Sequence, residues 1–230
     1  LLKEEKYIHL IIPRGSNAFV KYIQENTRIP VLGHSEGVCH GYIDQFADLD
    51  MAIRLCLDAK LQYPAVCNAM ETLLVHKNFA EKVLPDLVEK FREKQVELVG
   101  CVKTCKVTPE VSPACESDWD LEYNDLKLSI KIVDGFSEAV KFINKHGSGH
   151  TDMIVTENRE RAEQFLNEVS SANVMWNAST RFADGFKYGL GAEIGISTNR
   201  THARGPVGLE GMVIYKYKLY GNGQIVADYS

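Results

Sequence analysis

The chain has 230 residues, 45% of them hydrophobic and 25% charged, with a formal net charge of −5 and an isoelectric point near 5.8. That is enough apolar material to bury a sizeable core. It shows no basic face and no run near the roughly 18 apolar residues that a membrane helix needs, so neither a nucleic acid nor a bilayer is implied as a partner.

In chain order, strands are expected near 7–12, 29–32, 38–43, 70–76, 96–100, 126–132, 151–155 and 172–176, and helices near 17–25, 48–60, 79–93, 135–145 and 158–168. The alternation argues an α/β architecture with a mostly parallel sheet. The chain opens at Leu1 with no Met and no transit-like stretch, and its first strand runs straight into a helix, so it is expected to begin in mid-fold. In the second helix Leu49, Ile53, Cys56 and Leu57 recur at helical spacing behind Asp48. After it, Pro64 is placed to open one short helical turn, which would set Cys67 beside unpaired N–H groups. The third helix is amphipathic, with Val83, Leu87, Val88 and Phe91 on one face and Glu81, Lys82, Glu89 and Lys90 on the other. Residues 102–120 read as an irregular surface excursion. Alternation over 212–219, a Tyr220-Gly221-Asn222-Gly223 turn and a second run over 224–228 signal a β-hairpin, which must pack on something to persist.

Six cysteines, at 39, 56, 67, 101, 105 and 115, lack the spacing of a disulfide framework and point to a reducing compartment. Cys101, Cys105 and Cys115 are not expected to hold a metal, because no histidine lies close by to complete a ligand set. Cys67 is different. It stands in Tyr63-Pro64-Ala65-Val66-Cys67-Asn68-Ala69-Met70, between a helix and an apolar strand, as a covalent acyl-transfer site presents its thiol to a cleft. The proposed helical turn would lower its pKa and aim N–H groups at a developing oxyanion. On chemistry alone, a lone cysteine in an apolar stretch is more often inert packing.

Five blocks carry a resemblance: the Cys67 stretch, Ile12-Pro13-Arg14-Gly15-Ser16-Asn17, Pro30-Val31-Leu32-Gly33-His34-Ser35-Glu36-Gly37, Asn177-Ala178-Ser179-Thr180-Arg181-Phe182-Ala183-Asp184-Gly185-Phe186, and His202-Ala203-Arg204-Gly205-Pro206-Val207-Gly208-Leu209-Glu210-Gly211. In that order and along the whole chain they resemble gamma-glutamyl phosphate reductase, within the aldehyde dehydrogenase superfamily, and most of all the reductase half of the animal bifunctional delta-1-pyrroline-5-carboxylate synthases. The resemblance implies an aldehyde dehydrogenase-like catalytic domain over 46–205, the end of a Rossmann-like NADPH-binding lobe over 1–45, and an oligomerisation hairpin over 206–230 that makes a homo-oligomer through 212–228. It implies that a cofactor lobe precedes the chain, about half of the reductase being represented, and that a glutamate kinase domain precedes that in the bifunctional synthases. Mitochondrial placement follows for an animal-type protein and cytoplasmic placement for a fungal type.

The chemistry so implied is NADPH-dependent reduction of L-glutamate 5-phosphate to the 5-semialdehyde, with Cys67 forming a thioester. Gly15 and Ser16 match the family's cofactor-side Gly-Ser and open a helix, a phosphate-friendly place, though Gly before a helix is commonly just a turn. Glu122 aligns with a ribose-binding glutamate, against the alternative of an exposed loop carboxylate. Aldehyde dehydrogenases carry a water-activating Glu in Glu-Leu-Gly-Gly, whereas this chain has Val31-Leu32-Gly33-His34, as suits a thioester that must not meet water. His34 is left between a nicotinamide-side contact and direct proton transfer. For the substrate, Arg181 offers bidentate recognition of carboxylate or phosphate, with Asn177, Ser179 and Thr180 as neutral hydrogen-bonding groups. His150 has no physical case beyond its place in a family-like block. The competing hypothesis is a catalytically silent structural or oligomerisation fragment of the same fold.

Overall fold

The structure, a computed structural model, describes residues 1–34, 36–200 and 202–229; Ser35 of the 30–37 block and Ser230 of the expected terminal segment lie outside the described residues. Seven strands form one parallel sheet: β1 (Cys39–Ile43), β2 (Met70–His76), β3 (Glu97–Gly100), β4 (Ser112–Pro113), β5 (Lys127–Val133), β6 (Thr151–Val155) and β7 (Asn173–Trp176), in the order β4-β3-β5-β2-β1-β6-β7. Every residue of β1, β2 and β6 is buried, the mark of parallel strands covered on both faces. Helices α2 (Leu49–Leu61), α3 (Lys77–Glu93) and α4 (Val102–Val107) pack Ile53, Cys56, Leu84, Leu87 and Phe91 with Leu73 and Ile130 on one face. Helices α5 (Phe136–His146) and α6 (Arg159–Glu168) pack Phe136, Ile143 and Phe165 with Tyr42 and Leu74 on the other. The sheet is therefore sandwiched, as βαβ crossovers dictate.

Helix starts follow local capping chemistry. Asp48 accepts the Met51 N–H at 2.8 Å to open α2, and Asn158 accepts the Arg161 N–H at 3.0 Å to open α6. Ser16 caps α1 (Asn17–Asn26), which buries Val20 and Ile23.

The structure corrects several sequence expectations. Residues 7–12 and 29–32 make only a single bridge, Ile11 to Val31, because no third strand joins them. Residues 102–120 are not irregular: they hold α4, the short edge strand β4 and a 3-10 turn over Glu116–Asp120. The expected divide at 45/46 falls after β1, yet β1 lies between β2 and β6, so the sheet itself begins at Cys39. The hairpin over 212–228 is not formed. Described residues 213–225 form no strand, with a bend at 222–223, and Val226–Tyr229 make a 3-10 turn, leaving Ile214, Tyr217 and Leu219 about nine-tenths exposed or more. A two-stranded ribbon is marginal without a surface to lie on, and one copy of the chain supplies none. A separate two-stranded sheet pairs Ile196–Ser197 with Gly205–Pro206. Among the described residues no helix is long and apolar enough to cross a membrane.

Candidate active site

Cys67 occupies the loop that enters β2. The Ala69 N–H bonds to the Val66 carbonyl at 2.9 Å, so the expected helical turn at Pro64 is a tight turn instead, too short to present a set of free N–H groups. The expected lowering of the thiol pKa is likewise overturned. Burial first and the Glu122 carboxylate second push Cys67 up to about 11, against the opposing pull of the Cys67 backbone N–H and Arg181.

Around this thiol the fold gathers the loops that precede other strands. His34 and Gly37 come before β1, Glu122 before β5 and His150 before β6, all at the amino-terminal edge of the sheet. A side chain on Gly37 would sit 2.2 Å from the Cys67 carbonyl oxygen and 2.7 Å from Glu122 Oε1, which shows how tightly the three loops abut. Glu122 accepts from Asn17 Nδ2 at 3.2 Å, tying the start of α1 to the thiol loop. His34 Nδ1 meets the Ile196 carbonyl at 2.6 Å, and its ring stands edge-on to that of His150 with centroids 4.8 Å apart. Cys39 Sγ donates to the Cys67 carbonyl at 3.2 Å and lies 3.7 Å from His150 Nδ1. Burial raises the Cys39 thiol well above its ordinary value and lowers His150 well below, so both are neutral near pH 7.

Beneath the loop lies a buried ion pair, Lys60 Nζ to Glu71 Oε2 at 2.6 Å, with both side chains fully enclosed. Burial outweighs the pairing and raises the Glu71 carboxyl to about 7. On the outer side, Glu193 lies close enough to raise the thiol, accepts the Gly185 N–H, and keeps Oε2 buried without a partner. Asn68 donates to the Ala183 carbonyl at 2.8 Å.

The sequence-derived residues divide clearly. Gly15 and His34 line a cleft of about 110 Å³ together with Arg14, Asn17, Gly195 and Ser197. Ser16 is absent from that lining, its hydroxyl engaged by the Phe19 N–H at 3.4 Å. Glu122 is half-buried between Asn17 and Cys67 and is not a free loop carboxylate. Arg181 is half-buried, steadied by its Nε donating to Gln62 Oε1 at 2.9 Å, and close enough to favour the thiolate. Ser179 caps the 3-10 turn Thr180–Phe182, and Thr180 is fully buried with Oγ1 unpaired. Asn177 is the correction: it follows β7 at the opposite edge of the sheet. There its Oδ1 accepts the Thr156 N–H at 2.9 Å and its Nδ2 donates to the Thr156 carbonyl at 3.0 Å. At about 3.3 Å per strand residue the four residues of β7 set it roughly 13 Å from the start of that strand, with both polar side-chain atoms engaged by Thr156.

Sequence reasoning passed over Cys39, Glu193, and the Lys60–Glu71 pair, and gave His150 no role. The only signal available was that Cys39 opens β1 and His150 immediately precedes β6, a placement that matters once the strands are neighbours. Among the described residues, one group of three has metal-ligand character, His34, Cys67 and His150. Cys101, Cys105 and Cys115 instead contact Thr104, the Gly100 carbonyl and Asp118.

No family model matches the chain. Gamma-glutamyl phosphate reductase of Acetivibrio thermocellus is 62% identical over 230 residues, all of this chain and 53% of that protein. The crystal structure of gamma-glutamyl phosphate reductase from Thermotoga maritima superposes with a TM-score of 0.94 at 45% identity, over 97% of this chain and 54% of that one. An acetylating aldehyde dehydrogenase from Geobacillus thermoglucosidasius, 18% identical with a TM-score of 0.61 over 93% of this chain and 57% of that one, shares the fold alone. The chain spans about half the length of the curated relatives it matches. Along all 230 residues, the chain is similar to gamma-glutamyl phosphate reductases.

Proposed function

We propose that the chain supplies the nucleophile, the substrate clamp and part of the cofactor site of an NADPH-dependent gamma-glutamyl phosphate reductase. The reaction converts L-glutamate 5-phosphate to L-glutamate 5-semialdehyde and phosphate, the second step of proline biosynthesis. The observation that carries this reading is the half-buried Cys67 turn, faced by His34, Glu122 and Arg181 from three other segments, within a chain similar to such reductases over its whole length.

Cys67 Sγ attacks the acyl carbon, the carbon–oxygen bond to phosphate breaks, and phosphate leaves with the electron pair, giving a thioester. A thiol with a pKa near 11 is almost wholly protonated at pH 7, so attack needs a proton acceptor. His34 takes that role, its donor atom being within 4.8 Å of Sγ and its ring held by Ile196. The Cys67 N–H, which already approaches its own sulfur, borders the carbon under attack and stabilises the oxyanion. Arg181 holds the substrate's carboxylate or phosphate, with the buried hydroxyl of Thr180 behind it. Asn177 takes no part.

The cleft beside Gly15 and His34 fits a ring-sized group and opens toward the start of α1, whose N–H groups favour a phosphate. NADPH, when bound, supplies the hydride that reduces the thioester. The oxyanion so formed expels Cys67 as thiolate, which takes back its proton from His34. The exposed apolar tail over 212–228 is the surface by which a second copy of the chain associates.

The decisive test is reduction of NADP⁺ with pyrroline-5-carboxylate by the complete protein that carries this chain. Activity that requires inorganic phosphate supports acyl-phosphate chemistry. A folded, NADPH-binding protein with no such activity supports the silent structural unit instead, a reading favoured only by the protonated resting thiol.

A further inference from the structure

We infer that His34, Cys67 and His150 form a binding site for a borderline divalent d-block cation such as Zn²⁺, and that this ion reversibly masks the thiol. Their donor atoms all lie within 4.8 Å of one another. Tetrahedral zinc, with bonds of about 2.0–2.1 Å to nitrogen and about 2.3 Å to sulfur, spaces its donors roughly 3.5 Å apart, so side-chain rotations on the order of 1 Å close the set.

Each donor is prepared for a metal by what surrounds it. A carbonyl oxygen only accepts, so the 2.6 Å contact between His34 Nδ1 and the Ile196 carbonyl places the proton on Nδ1 and leaves the lone pair on Nε2. Metal-bound histidines are oriented by this kind of second contact. His150 directs Nδ1 at Thr151 Oγ1, 2.9 Å away, and at Cys39, while its Nε2 is fully buried with no hydrogen-bond partner. An orphaned buried nitrogen is a standing cost that a metal bond removes. Glu122 and Glu193 give the thiol a negative surrounding that attracts a dication, and Arg181 opposes them.

Coordination is balanced without an oxidant: the Cys67 S–H bond breaks, a sulfur–metal bond forms and one proton leaves to solvent. Three protein donors leave the fourth position to water, as in open zinc sites. The sulfur lone pair used by the metal is then withdrawn from acyl transfer, so occupancy and turnover exclude each other. That inhibitory half rests on Cys67 being the nucleophile; the binding half does not.

The test titrates the complete protein with Co²⁺ and reads thiolate-to-cobalt charge-transfer absorption, with Zn²⁺ as competitor and turnover followed in parallel. One ion per chain, a charge-transfer band displaced by Zn²⁺, and activity lost with occupancy and restored by a chelator are expected. His34→Ala is expected to weaken binding at least about tenfold, and Cys67→Ala to abolish the band. Zn²⁺ is also expected to protect Cys67 of the unmutated protein from iodoacetamide in peptide mapping, a readout that needs no variant. Absence of the band, its persistence in Cys67→Ala on another thiol, or no protection overturns the site. A band in the parent protein together with an active Cys67→Ala keeps the metal site and removes the nucleophile assignment; no band with an inactive Cys67→Ala does the reverse.

Discussion

Gly37→Ala is the sharpest test of how the thiol is held. The added Cβ would lie 2.2 Å from the Cys67 carbonyl oxygen, 2.7 Å from Cys67 Cα and 2.7 Å from Glu122 Oε1. Carbon contacts relax only near about 3.5 Å, so something must retreat by about 1 Å, and two of the three atoms are Cys67 backbone. The thiol turn therefore moves. A displacement of that size costs about 100-fold in rate, and the overpacking costs about 1–3 kcal/mol of stability. Gly41→Ala is the matched control, since its Cβ would meet Met70 Sδ at 2.6 Å and Met153 Cε at 2.9 Å, the ends of flexible side chains in the core. It is expected to lower stability by a similar amount while folded protein keeps most of its turnover. Steady-state kinetics, iodoacetamide labelling of Cys67 and urea unfolding separate the two. Wild-type kcat and labelling rate in folded Gly37→Ala would refute the claim that Gly37 sets the position of the thiol.

Four further outcomes follow from the site. Labelling of Cys67 as pH rises should be half-maximal near 11, well above the ordinary 9.0, and Glu122→Gln should move it down; a midpoint at or below 9.0 contradicts the burial argument. Glu71, with a folded pKa of about 7 against an ordinary 4.5, keeps its proton across that interval while the unfolded chain has lost it. Its contribution to stability is therefore full below 4.5 and lost as pH rises through 7, and Glu71→Gln should remove that fall from urea-derived stability curves; an unchanged curve rejects it. Arg181→Ala should raise the KM for the acyl substrate far more than that for the cofactor, and the opposite pattern takes Arg181 out of the clamp. Deleting the residues after Met212 should leave a monomer in sedimentation, whereas a persisting dimer places the interface elsewhere.

The helices were legible because each carries its own signal. Asp48 and Asn158 cap where the apolar spacing starts, and α2, α5 and α6 fall within a residue of expectation. Strands β1, β2, β5 and β6 were legible as apolar runs between turn residues. The motif around Cys67 likewise singled out that thiol as a candidate, since a resemblance of residue types needs no coordinates. Short edge elements such as β4 were not legible, because two residues held by one neighbouring strand leave no periodicity.

The sequence by itself determined the α/β alternation, the likeness to gamma-glutamyl phosphate reductases and Cys67 as the residue of interest, because those rest on residue type and local spacing. Only the tertiary structure decided who stands beside that thiol. Parallel strands separated by up to 111 positions bring Cys39 against His150, and Glu122, Cys67 and Gly37 meet at the amino-terminal edge, not the carboxyl edge where open α/β sheets usually bind ligands. The same geometry carries Asn177, four positions from Arg181 in the chain, to the far edge of the sheet. It also reverses the expected electrostatics of the thiol, since burial and a carboxylate 55 positions away in sequence outweigh what any local turn supplies.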